Sequence, residues 1–173
     1  MRIESTSFAS TDLDSFLDDL VDQDRRTLVG RLERASARLA DLGSRVSDDA
    51  PAGDEQWNAK EVLAHVALLS KFYGVLAYRI GSGATTELDL LGQVSLRDVM
   101  GEQLAQRPAA ELVASALADH GRTAEWLRGA RPGDLRRRCS IGGGGSMTAE
   151  EVARLPLCAH LEQHLDQMER LLM

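Results

Sequence analysis

Apolar residues recur along this chain at the spacing of a helix face, and no strand-like alternation persists beyond a few residues. Val62, Leu69, Phe72 and Leu76 share one arc of a helical wheel, and so do Leu157, Leu161, Leu165, Met168 and Leu171. A helix with one apolar face must bury it against another element. Several such helices in one chain therefore predict helix-on-helix packing, an all-α bundle of four principal helices.

The helix boundaries are marked to different degrees. Leu13, Phe16, Leu17, Leu20 and Val21 fall at helical spacing, and the pattern resumes with Leu28, Val29, Leu32, Leu39 and Leu42, as one bent helix or as two. Ser47 to Glu55, with Pro51 and Gly53, reads as a loop. The second helix has a clear start: Asn58 as N-cap, Glu61 at N3, and Trp57 and Val62 flanking them as a hydrophobic staple. It should run to about Ile80 and end at Gly81-Ser82-Gly83. A short helix is expected around Leu96 to Leu104, and a long one over Pro108 to Leu127. Arg131-Pro132-Gly133-Asp134 reads as a turn and Gly142 to Gly145 as a flexible loop. The last helix repeats the start signature with Thr148 and Glu151. Pro156 predicts a bend or a boundary within it.

A length of 173 residues predicts one domain over 1–173, large enough for a proper core, and 43% hydrophobic residues exclude global disorder. The net charge of −7 argues against a nucleic-acid partner, and the one basic run, Arg136-Arg137-Arg138, reads as a solvated loop. No apolar run suggests a membrane span. Two cysteines, Cys139 and Cys158, indicate neither a disulfide framework nor a thiolate zinc site. A cytoplasmic protein with a small-molecule substrate is the expectation, with neither nucleic acid nor membrane as partner. Leu13, Phe16 and Leu20 leave room for a homodimer, although packing within the chain is the simpler account.

The four histidines carry the chemistry. His160 and His164 lie four residues apart and border the apolar arc of the last helix, and His65 lies inside the arc of the second. All three would aim inward if these helices are neighbours. A neutral three-nitrogen set with one position left open suits a divalent transition metal, zinc or nickel. A hydrogen-bonded core histidine is the alternative for His65, and an edge coincidence for the pair. His120 also falls on an apolar face, as a pocket wall or a plain core residue.

Familiar motifs are absent. His160-Leu-Glu162-Gln-His164 lacks the glutamate that follows the first histidine of a zinc protease, and Glu162 should project into solvent on the far side of its helix. The carboxylates of a di-iron bundle are missing. Cys158 diverges from His160. Cys139 beside its arginines would have a lowered pKa, but it has no evident base, so both read as incidental thiols. The glycine tract lacks the Lys-Ser/Thr of a phosphate loop.

At Trp57, at Val62-Leu63-Ala64-His65 and at His160-x-x-x-His164 the chain resembles the DinB/YfiT-like metalloenzyme superfamily. The resemblance spans most of the sequence. It implies an up-down-down-up four-helix bundle whose metal is held by His65, His160 and His164. Characterised relatives include transferases and isomerases that use low-molecular-weight thiols such as mycothiol or bacillithiol. The function implied is a metal-dependent transferase adding such a thiol to an electrophilic small molecule. A metal-dependent hydrolase or isomerase and a non-catalytic metal-binding stress protein stand as alternatives.

Overall fold

Asn58 starts the helix that organises the molecule. Its side chain accepts from the backbone N–H groups of Lys60 and Glu61 at 2.8 and 2.9 Å, and Glu61 accepts from the Asn58 N–H at 2.8 Å. That reciprocal box satisfies donors which the first turn leaves orphaned, worth ~1 kcal/mol.

The computed structural model describes residues 10–49, 57–89 and 94–173. In chain order these form α1 (Ser10–Gly43), α2 (Ala59–Gly81), α3 (Val94–Ala105), α4 (Ala109–Gly129), the single turn α5 (Pro132–Leu135), strands β1 (Arg138–Ser140) and β2 (Ser146–Thr148), α6 (Ala149–Val152), a π-helical segment (Ala153–Ala159) and α7 (His160–Leu171). The last three run on as one continuous helix. The expected loop around Pro51 and Gly53 lies outside the described residues. The apolar pattern from Leu13 to Leu42 resolves as one helix, α1, rather than two.

Pairs across the helix contacts set their directions. Arg25 donates to the Leu127 carbonyl and Ser36 meets His120, so α1 and α4 are antiparallel. Arg31 pairs with Glu162 and Arg38 with Asp166, so α1 and α7 run the same way. Ser70 meets His120 and Tyr78 meets Trp126, so α2 and α4 are parallel. The result is an up-down-down-up four-helix bundle of α1, α2, α4 and the last helix. Leu28, Leu32 and Leu39 of α1, Leu63 and Ile80 of α2, Leu112 and Leu127 of α4, and Leu165 and Met168 of α7 are fully buried. Each such side chain contributes ~1.5–3 kcal/mol of transfer free energy.

By length and mean hydropathy, 1.2 over its most apolar window, α2 could cross a membrane, contrary to the sequence expectation; 67% of that window is buried inside the bundle, which accounts for its composition. Leu13, Phe16, Leu17 and Leu20 are also corrected. They remain exposed among the described residues rather than packed within the chain.

The glycine tract is a hairpin turn and not a loose connector. β1 and β2 pair antiparallel with Cys139 opposite Met147, and Gly142, Gly143 and Gly144 take positive φ, which a side chain would resist. Nor is the arginine run merely solvated. Arg136 pairs with Asp18, Arg137 donates to the Gly81 carbonyl, and Arg138 donates to the Ser146 hydroxyl. Strands of three residues are too short for alternation to reveal, so the sequence does not betray this hairpin.

Candidate metal centre

α2 and the last helix are neighbours in the bundle, and their contact brings three histidines together. One ring nitrogen from each of His65, His160 and His164 lies within 4.8 Å of the others. The His65 ring centroid is 4.7 Å from that of His164 and 5.6 Å from that of His160, both edge-on. All three side chains are half-buried. His120 stays apart, in the core between α1, α2 and α4.

The last helix aims its pair through an irregularity. Pro156 has no N–H to give, and where the sequence predicts a bend or a boundary the helix instead widens to π geometry. At the end of this segment the His160 N–H reaches the Leu155 carbonyl, five residues back. The Pro156 backbone raises the pKa of the His160 ring, in part offsetting burial and His164. One local feature therefore accommodates the proline and leads directly into the histidine pair.

Hydrogen bonding fixes where the ring protons sit. His164 Nδ1 lies 2.9 Å from Gln167 Oε1, an oxygen that can only accept, so Nδ1 carries the proton. With its Nδ1 protonated, His164 offers a lone pair at Nε2, which lies 2.8 Å from His160 Nε2. The two Nε2 atoms thus meet at one point. Burial lowers the pKa of both rings, and for His160 the neighbouring His164 lowers it further. Neutral imidazoles with their far nitrogens anchored are the state in which histidine binds a cation.

Trp57 covers one side. Expected as a staple for Val62, it remains 45% exposed with its ring 4.7 Å from His65 and stacked at 6.3 Å on His164. Beneath the pair, Val66, Leu69, Ser70, Pro156, Leu157 and Leu161 enclose with both rings a cavity of about 10 Å³.

Other sequence expectations divide. Glu61 serves the cap. Glu162 points away from the histidines, but it forms a bidentate pair with Arg31 at 2.9 and 2.6 Å instead of standing in solvent. Cys158 is buried and its thiol is pushed up to about 11 by burial. Cys139 is buried within β1, where desolvation and Glu87 raise its pKa, the reverse of the lowering expected from its arginines. Both shifts favour the thiol over the thiolate, the nucleophilic form. Gln167 and Ser70 went unnoticed in the sequence. The i, i+3 spacing of His164 and Gln167 was the available signal for the first, and nothing local marks the second.

The up-down-down-up four-helix bundle thus carries three converging histidines that could hold a metal ion. The sequence pattern of the DinB superfamily matches residues 20–168, and the chain belongs to that superfamily. Among solved structures the fold is similar to YfiT from Bacillus subtilis, described as a probable metal-dependent hydrolase with an unusual four-helix bundle topology. The TM-score is 0.68 at 16% sequence identity, over 98% of this chain and 91% of that one. No curated protein matches the chain.

Proposed function

We propose that His65, His160 and His164 hold one divalent transition metal, zinc or nickel, with a coordination position left open, and that the chain activates a small nucleophile there against an electrophilic small molecule. The observation that carries this is the convergence of three ring nitrogens within 4.8 Å, with the Nε2 atoms of His160 and His164 2.8 Å apart and Nδ1 of His164 anchored on Gln167. A cation there would take these nitrogens as ligands in place of the hydrogen bond between the two rings. A metal so held would lower the pKa of a coordinated water or thiol toward neutrality. The protein's own part is to fix three imidazoles, to close off bulk solvent beneath the pair with Leu69, Leu157 and Leu161, and to bound the outer side with Trp57.

Water is the nucleophile the geometry favours. The adjoining cavity of about 10 Å³ is the size of a single water, and the similar fold of YfiT belongs to a protein described as a probable metal-dependent hydrolase. A low-molecular-weight thiol of the mycothiol or bacillithiol type is the second reading. The exposed flank of Trp57, where a larger group has access to the histidines, favours it. Two free buried thiols suit a reducing cytoplasm.

Metal analysis of untagged protein tests the centre. About one transition metal per chain is expected, with loss of it in His65→Ala and in His164→Ala. Wild type without metal, or variants that retain it, would overturn the assignment. Turnover of ester, amide and carbon–halogen electrophiles by the metal-loaded protein, with and without added thiol, then separates hydrolysis from thiol transfer.

A further inference from the structure

His120 is 2% exposed and held from both sides. Its Nδ1 lies 2.9 Å from Ser36 Oγ of α1 and its Nε2 2.7 Å from Ser70 Oγ of α2. Each serine also lies within hydrogen-bonding distance of the carbonyl four residues before it, Ser36 at 2.6 Å from Leu32 and Ser70 at 2.7 Å from Val66. A serine hydroxyl has one proton to give and a neutral imidazole has one N–H. With His120 neutral, one serine must donate to the ring and forgo its carbonyl. With His120 protonated, both N–H groups donate to serines and both serines donate to carbonyls. The same heavy-atom positions serve either state.

Ser70 has two further neighbours. It shares the wall of the 10 Å³ cavity with His160, His164 and Pro156. It also lines a groove of about 270 Å³ between α2 and α4, open to solvent and bordered by Lys71, Asp119 and Arg122. Ser70 therefore borders both the cavity beneath the histidine pair and the groove, while its hydroxyl meets the buried imidazole.

We infer that Ser70 and His120 form a proton relay for the three-histidine centre, reached through one water in the small cavity; this rests on the metal assignment above. As the nucleophile is activated, its proton passes to the cavity water. That water gives a proton to Ser70 Oγ while the serine's own proton moves to His120 Nε2. Water and hydroxyl are regenerated, no electrons change hands, and the net change is one proton carried from nucleophile to imidazole. His120 Nδ1–H remains on Ser36, and Ser70 turns its proton to the Val66 carbonyl. The return hop through Ser70 discharges the proton into the α2–α4 groove. Burial, which holds the His120 pKa to about 4 against a partial offset from Asp119, makes the ring a transient carrier and not a store. Ser70 and His120 are positioning residues that act through the water.

The test uses full-length protein with ¹⁵N-labelled histidine, followed by NMR with and without one equivalent of zinc, whose binding is measured calorimetrically on the same samples. Zinc is expected to shift the His120 ring-nitrogen resonances in wild type and in Ser36→Ala. It should leave them unmoved in Ser70→Ala, which keeps the zinc stoichiometry. Ser70→Gly, which also lacks the hydroxyl, gives the same readout should Ser70→Ala not fold. A response that survives loss of the Ser70 hydroxyl is a field effect through space and overturns the relay, as does no response in wild type that binds zinc. Failure of wild type to bind zinc overturns the metal centre, and the relay with it.

Discussion

His160 and His164 meet through their Nε2 atoms, 2.8 Å apart, with the other nitrogen of His164 turned away to Gln167 Oε1. Successive turns of one helix bring side chains four residues apart together routinely. Here the His164 ring is also fixed about its own axis by a glutamine. Its Nε2 is thereby turned to His160 and to the point where His65 converges.

Gln167 anchors His164 from outside the cluster, so its loss should weaken the site without dismantling it. Gln167→Leu is expected to reduce zinc affinity by ~10–100-fold, with unfolding little changed because the side chain is only half-buried. Competition against a chromophoric chelator measures this directly, and unaltered affinity would show that the hydrogen bond does not orient the ring.

Trp57 supplies an intrinsic reporter. The chain has two tryptophans, and only Trp57 lies on the histidines, whereas Trp126 packs on Tyr78. Nickel or copper loading should quench part of the fluorescence, and Trp57→Phe should abolish the metal-dependent part. Quenching that persists in Trp57→Phe would place the bound metal elsewhere.

His120 makes stability depend on pH. Its pKa is about 4 in the fold, lowered by burial, against 6.5 for an unperturbed imidazole. Between those values the unfolded chain binds a proton that the folded chain refuses, so stability rises with pH across the window. The contribution is complete above 6.5 and is lost as pH falls toward 4, a change of ~3 kcal/mol. His160 and His164, also lowered, act in the same direction. The informative quantity is therefore the difference between wild type and His120→Gln in urea unfolding of metal-free protein. The gap should narrow by ~3 kcal/mol between pH 7 and pH 4; a constant gap would contradict a neutral buried ring.

Gly74 lets α2 and α4 approach. A Cβ there would collide with Thr123 Oγ1. Gly74→Ala should cost ~1–3 kcal/mol despite the better helix propensity of alanine. The double variant Gly74→Ala/Thr123→Ala should recover most of the loss, as denaturant midpoints would report.

Much of this architecture could be read from residue order. Asn58 with Glu61 and Thr148 with Glu151 announced two helix starts, and both capping boxes are present. The inward aim of His65, His160 and His164 followed from wheel positions, because a helix fixes which side chains share a face. What escaped depends on partners distant in sequence or on backbone geometry without a pattern. The Cys139 thiol lies under burial and Glu87, and neighbouring arginines in the sequence said nothing of either. Leu13 and Phe16 sit at helical spacing, yet whether anything lies opposite them is a property of helix lengths, not of spacing. Ser70 is one serine among apolar residues, and its importance appears only when α1 and α4 arrive.

The π-helical stretch Ala153–Ala159 also bears on how this chain tolerates insertion and deletion. A π segment accommodates about one residue more than an α-helix would over the same span. Removing a residue there would let the helix tighten to α geometry, with Leu161, Leu165 and Met168 still docked downstream. Between His160 and His164 there is no such slack. One residue lost or gained there swings one ring by ~100° relative to the other. In a lineage of such sequences, length variation should therefore collect just upstream of the pair, and the interval between the two rings should stay invariant.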